Sequence, residues 1–320
     1  LDLLSTAYKK SFTDLRPIQL AQQFIENEVY SRENITEYLT ELVAQLNVKA
    51  TVAKNHQDWF YVANLKAKID VMSVRYDIGI DTAQIQEPFI AYILTSFGKL
   101  SASIDRNGPV LVSRAMEYMH SSSDKFAIVV MDGMSEFDWL IIEDSFIGMR
   151  YEKSDAFAMI PTTTSISRQC LLSGKYPVQL LEPWKQSKEK NEFYDCARNI
   201  GFKDEQIGYE RGYDADFASA VKCAAVVIND VDDMVHGQKQ GRIGMFNDIT
   251  VLAKQQQLVR LVKRLIHNGF DVYISADHGN TPCTGMGKLM KTGVEVETKS
   301  RRMIVLRDFA DKQALLSPLI

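Results

Sequence analysis

The chain lacks the excess of positive charge that marks a nucleic-acid binder. Its 320 residues carry a net charge of -4, so electrostatics alone nominate neither DNA nor RNA as a partner. A local basic patch such as Arg301 and Arg302 is the exception left open. Cysteine is scarce and scattered: Cys170, Cys196, Cys223 and Cys283 form no CxxC pair, which signals neither a zinc knuckle nor a disulfide framework and leaves buried free thiols as the expectation. No apolar run approaches the ~20 residues of a membrane helix, and the first residues hold no apolar signal-peptide core. A cytoplasmic protein with no membrane partner is therefore expected. Leu1 in place of an initiator methionine leaves room for the chain being a piece of a longer one.

What is there reads as a soluble globular protein, with 46% hydrophobic and 24% charged residues. The length suits one large domain or two ordinary ones. Residues 1 to about 120 read as helices. In "ENITEYLTELVAQL" the apolar positions Ile35, Tyr38, Leu39, Leu42, Val43 and Leu46 recur at the spacing of one buried helix face, and Asn34 with Glu37 predicts a capping box. Segments 18–30 and 86–99 read the same way. At "HSSSDKFAIVVMDGM" three serines lead into the continuous apolar run Phe126 to Met131, as a strand buried on both faces requires. A boundary near 120 follows, separating a helical region (1–120) from a second domain (121–320). Further apolar runs at 156–160, 224–228, 270–276 and 302–306, with an amphipathic helix at 250–268 ended by Gly269, predict an α/β domain with a mostly parallel sheet flanked by helices.

In such folds ligands sit at the carboxyl ends of the strands. Asp132 follows the first run directly, Thr162 to Thr164 follow the second, Asp232 and His236 the third, and Asp277 with His278 the fourth. Carboxylates and imidazoles are donors for zinc, and carboxylates also suit manganese. Asp232 and His236, four apart, share one face of a helical turn. Gly133 and Gly279 let backbone pass close to a bound group. The other three histidines, His56, His120 and His267, read as surface, boundary or helix-end residues.

The order "VVMDG", "IPTTTSISRQCLLSGKYP", "DVDDMVHG", "SADHGN" resembles the alkaline phosphatase superfamily, and more closely its PglZ branch, over residues 125–280. That branch occurs in phage-defence proteins and as an output domain of response regulators. The resemblance implies an alkaline-phosphatase-like sheet and a metal-dependent phosphoesterase, a phosphodiesterase or phosphatase acting on phosphate esters, with nucleotides or short oligonucleotides as the suggested substrates. It puts the hydroxyl nucleophile on Thr164, one metal on Asp132, Thr164, Asp277 and His278, and a second on Asp232 and His236. Zinc is the expected ion, with manganese as the alternative, and one or two ions per chain.

No histidine follows His278, where related phosphodiesterases supply a third ligand to the second metal; water, a carboxylate such as Glu295 or Glu297, or nothing completes that site instead. Arg168, one turn past Thr164, is a candidate for a non-bridging phosphoryl oxygen, and Asn280 for a substrate contact. Thr162 and Thr163 read as turn and cap residues, and Ser173, Gly174 and Pro177 as helix termination. The alternative function is a catalytically weak, metal-binding docking module of a BREX-type defence or signalling assembly.

Overall fold

The computed structural model describes residues 30–103, 105, 108–283, 294–296 and 305–307. In chain order its helices are α1 (Arg32–Val52), α2 (His56–Arg75), α3 (Gln86–Leu100), α4 (Ala115–Ser122), α5 (Glu136–Ile142), α6 (Thr164–Ser173), α7 (Glu189–Asn199), α8 (Asp230–Gly237), α9 (Gly241–Gln255) and α10 (Gln257–His267). Its strands are β1 (Phe126–Met131), β2 (Ile207–Arg211), β3 (Cys223–Ile228), β4 (Asp271–Ser275), β5 (Val294–Val296) and β6 (Val305–Arg307).

The chain divides into two compact units that interleave in sequence. The first holds the described residues up to Ser103 together with Glu136–Ile147 and Arg242–Val251. Its helix α1 buries Ile35, Leu39, Leu42 and Leu46, the stripe read from the spacing, with Tyr38 and Val43 half-buried. The cap differs from expectation. Ser31, not Asn34, sits at the N-cap and accepts the Asn34 amide, because the helix starts three residues earlier; a reciprocal capping box forms instead at Asn55 and Asp58 of α2. Helix α3 forms where 86–99 predicts it, whereas the helix expected at 18–30 lies outside the described residues.

The second unit carries the main sheet, four parallel strands in the order β2-β3-β1-β4. Every residue of β1 is fully buried, as its uninterrupted apolar run requires for a strand flanked on both edges and covered on both faces. The chain leaves β1, builds β2 and β3 on one side of it and then crosses to place β4 on the other. The winding thus reverses at β1, and the crevice at its carboxyl end is where an open parallel sheet takes a ligand.

Four expectations are corrected, and one strand is new. The run 156–160 is not a sheet strand: Phe157 makes one bridge to Leu111, and the next available donor, the Met159 amide, goes to the Ser167 hydroxyl instead of a ladder. The helix at 250–268 is two helices, broken where Gln256 takes φ +59. Strand β2 was hidden in "IGYER", whose glycine and two charges interrupt the apolar pattern; a Cβ on Gly208 would lie 2.5 Å from the Phe217 ring. Of the run 302–306, Val305 and Leu306 fall in β6, which pairs antiparallel with β5 and not with the main sheet. Arg301 and Arg302 lie outside the described residues. Three thiols are buried, and burial pushes Cys170 up to about 12 and Cys196 up to about 11; Cys283, against expectation, is exposed. No helix among the described residues is long and apolar enough to cross a membrane.

Candidate metal centre

The carboxyl ends of β3, β1 and β4, side by side in the sheet, deliver the acids. Asp132 is the first residue past β1, and its amide still completes the ladder to Ile228 at 2.8 Å, so its side chain is aimed by the strand itself. Gly133 then turns the chain with φ +70, a conformation that suits a residue without a Cβ. A Cβ there would lie 3.4 Å from Asp232 Oδ1 and 3.5 Å from His278 Cε1, which puts Gly133 between the two. Past β4, Asp277 and His278 are both buried. Asp277 Oδ1 accepts from the amides of Gly133 (3.1 Å) and His278 (3.0 Å), tying the ends of β1 and β4 together. Asn280 adds a second tie between these ends by donating to the Gly133 carbonyl at 2.9 Å.

Helix α6 brings the hydroxyl. Thr164 is its first residue, and the amides of Ile166 and Ser167 both return to the Thr163 carbonyl. The earlier amides, on Thr164 and Ser165, stand at the open helix end. Thr163 occupies the N-cap position, but its side chain makes no cap hydrogen bond, and its Oγ1 is buried without a partner. Gly174 ends the helix with φ +71, as expected. One turn past Thr164, the buried Ser167 hydroxyl donates to the Asp277 carbonyl, which registers α6 against the end of β4.

Thr164 Oγ1 thereby lies 2.9 Å from His278 Nε2. The other ring nitrogen, Nδ1, is 2.9 Å from the Gly279 carbonyl, which can only accept. Nδ1 therefore carries the proton, and Nε2 presents a lone pair. Around that nitrogen stand Asp132 Oδ1 at 3.7 Å and Asp277 Oδ2 at 3.9 Å. Both oxygens are buried and make no hydrogen bond. Asp132, Asp232 and His278 each offer a ligand atom within 4.8 Å of the others. Bonds of about 2.1 Å to a tetrahedral ion place its ligands roughly 3.4 Å apart, so these separations match a site that closes slightly on a zinc-sized ion. Two carboxylates, an imidazole and an adjacent hydroxyl also have the chemistry that zinc or manganese takes.

His236 stands apart. It shares α8 with Asp232, and its Nε2 is 3.3 Å from Asp232 Oδ2, but its side chain is 65% exposed and it is not among the converging donors. Of the carboxylates considered for the second metal, Glu297 lies outside the described residues, and Glu295 falls in the ladder of β5 with β6.

Arg168 is the largest fully buried side chain of the described residues. Its Nη1 donates to Asp132 Oδ2 at 2.6 Å and its Nε to Glu189 Oε2 at 2.6 Å, with Asp277 Oδ2 at 3.9 Å from Nη1. Burial works against its charge, but Asp277, Glu189 and Asp132 outweigh it and hold its pKa above the ordinary value. Asp277 responds in the opposite sense: complete burial pushes its carboxyl up to about 7, with Asp132 adding to the rise and Arg168 and the Gly133 amide opposing it. Glu189 is a residue that sequence reasoning missed. It opens α7 within the charged run "SKEKNE", which reads as a solvated helix face, and no signal in that run separates Glu189 from its neighbours.

A family model described as the BREX system PglZ alkaline phosphatase-like domain matches residues 111–310. Among curated proteins no sequence matches the chain.

Proposed function

Because the chain belongs to the PglZ family of alkaline phosphatase-like domains, we propose that it is a metal-dependent phosphoesterase with Thr164 as nucleophile, acting on phosphate esters of the nucleotide or oligonucleotide class in a defence setting. One observation carries this reading: the Thr164 hydroxyl meets His278 Nε2 at 2.9 Å where two buried carboxylate oxygens without hydrogen bonds also converge. A buried carboxylate oxygen left without a hydrogen bond is costly, and a second cation beside Arg168 is the simplest group that satisfies both.

Asp132, Asp232 and His278 would hold the ion, with Thr164 and Asp277 beside it. When bound, the ion supplies positive charge that favours the threonine alkoxide over the hydroxyl and offsets charge developing on phosphoryl oxygens. Thr164 Oγ then attacks phosphorus as the bond to the leaving alcohol oxygen breaks and that oxygen takes up a proton. Water attacks the phosphothreonine in turn, its phosphorus–Oγ bond breaks, and Thr164 regains its proton. The net reaction is ester plus water to alcohol plus phosphate, or to alcohol plus a phosphate monoester where the substrate is a diester. The open amides of Thr164 and Ser165 are placed to bind phosphoryl oxygens during both steps. Arg168 we assign to the acids and not to substrate, since it has no exposed surface. Asn280 shapes the β1 turn through Gly133, and a substrate contact from it is secondary.

A second reading, a BREX-type docking module with a structural ion, is favoured by one observation, the exposure of His236, which leaves Asp232 and His236 as half of a second metal site. Elemental analysis, with hydrolysis of p-nitrophenyl phosphate and its bis-ester by wild type and Thr164→Ala, separates the two. We expect bound zinc or manganese and turnover that Thr164→Ala abolishes. Turnover untouched by Thr164→Ala overturns the threonine mechanism, and bound metal without turnover on a broad ester panel selects the docking module.

A further inference from the structure

We infer that Glu189 is a positioning residue for the metal centre: it balances Arg168, so that Asp132 keeps one carboxylate oxygen and its negative charge for a divalent cation. The inference rests on the metal-centre reading above and adds to it a residue outside the family motifs.

The geometry is a chain of charges running inward from the protein surface. Arg211, at the end of β2 and half exposed, donates to Glu189 Oε1. Tyr209, two residues earlier, donates its hydroxyl to the same oxygen at 2.5 Å. Burial and the adjacent Glu189 push the Tyr209 pKa up, so it remains an O–H donor. Glu189 Oε2 accepts from Arg168 Nε, and Arg168 Nη1 reaches Asp132 Oδ2. Both Glu189 oxygens are thus filled, while Asp132 has one oxygen filled and one without a hydrogen bond.

The charge balance explains why the glutamate matters. Arg168 is a fully buried cation placed where a metal centre needs negative potential. Alone it would repel a divalent ion and compete with it for Asp132. Paired with Glu189 it forms a nearly neutral unit that still fixes Asp132 through one hydrogen bond. Glu189 thereby acts on the ion through Arg168 and never touches it. A merely structural ion pair would influence folding stability but not metal affinity in a charge-dependent way.

The test is the affinity of the full chain for Zn²⁺, and separately Mn²⁺, measured by competition with a chromophoric chelator. Glu189→Gln should weaken affinity roughly 10- to 100-fold, the usual effect of removing a partner one step behind a ligand. The double variant Arg168→Met/Glu189→Gln should bind more tightly than Glu189→Gln alone, because it removes the unbalanced cation. Tyr209→Phe, which removes a hydrogen bond and no charge, should weaken binding by less. A folded Glu189→Gln with wild-type affinity overturns the inference, as does a double variant that binds still more weakly. If Glu189→Gln fails to fold, Arg211→Gln decides through its half-exposed side chain, because without Arg211 more of the Glu189 charge balances Arg168: raised affinity supports the inference, and unchanged or reduced affinity overturns it. A wild-type chain that binds neither ion removes the metal-centre reading itself, a result distinct from wild-type binding that Glu189→Gln leaves untouched.

Discussion

Two acid–histidine pairs in this chain are built from the same residue types and behave as opposites. Asp232 and His236 lie closer together, at 3.3 Å, yet their side chains are 20% and 65% exposed. Asp277 and His278 are 3.9 Å apart, with exposures of 0% and 2%. Proximity therefore does not identify the site. In water a close pair is screened and needs nothing further. In the interior, an acid without a hydrogen-bond partner must be balanced by a cation or give up its charge. Asp232 Oδ1 and Asp132 link the buried pair to the exposed one, and His236 is left on the solvent side.

The largest expected effect breaks the two histidines apart. His278→Ala should lose the ion, exceeding the roughly 10- to 100-fold cost of even an outer partner, while His236→Ala should keep it. Elemental analysis after dialysis reads both variants, and equal loss from the two would erase the distinction. Next comes the charge that supports the buried pair. Arg168→Met strands Asp132 and Glu189 and should cost about 3–5 kcal/mol in urea unfolding of the metal-free chain, whereas Asp232→Asn beside the exposed pair should cost less than about 1 kcal/mol. A small loss for Arg168→Met would mean that water already solvates those acids.

How much of this was legible follows from where the residues sit. The run before Asp132 is uninterrupted and apolar, and the run before Asp277 keeps Val272, Tyr273 and Ile274 between Asp271 and Ser275, so both the strands and the groups they deliver could be read directly. The i, i+4 spacing of Asp232 and His236 correctly puts both on α8, but spacing along one helix carries no information about which of them turns toward another strand. Solvent exposure is a tertiary property, and only the fold separates the two pairs. Glu189 is the extreme case: a helix-start glutamate in a charged run becomes buried because Arg168, Tyr209 and Arg211 meet it from elsewhere in the chain. The bridge at Phe157 and the break at Gln256 were illegible for a related reason, since the first depends on Ser167 and the second has no glycine or proline to mark it.

A pH dependence sharpens the comparison further. Burial raises the Asp277 carboxyl from 3.8 to about 7. Between those values the folded chain retains a proton that the unfolded chain has released. Stability of the metal-free protein therefore falls as pH rises through this window, by about 1.4 kcal/mol for each pH unit crossed, and is flat with respect to Asp277 outside it. Asp277→Asn should remove that slope, so the readout is the difference between wild type and Asp277→Asn in urea midpoint at pH 5 and pH 8. Saturating zinc should reverse the sign, because the ion binds the ionised form. A wild-type slope identical to that of Asp277→Asn would show that Asp277 is already ionised at pH 5.

The smallest effect concerns the residue that separates the two pairs. Gly133→Ala adds a Cβ at 3.4 Å from Asp232 Oδ1 and 3.5 Å from His278 Cε1, close but ordinary contacts, so the added atom fits. Its cost lies in the backbone, where φ +70 is disfavoured for alanine by roughly 1–2 kcal/mol. Relieving that strain would rotate the two peptides flanking Gly133, one of which donates its amide to Asp277 while the other accepts from Asn280 at its carbonyl. Thermal melting should therefore drop by only about 1–3 °C, since the roughly 2–4 °C per kcal/mol of a 150–250-residue protein shrinks further for a 320-residue chain. Gly279→Ala is the control, because that glycine has no such φ and its Cβ would meet Ser135 at 3.4 Å. A drop no larger for Gly133→Ala than for Gly279→Ala would mean that the β1 turn relaxes freely, and that the buried and exposed pairs are not held apart by backbone.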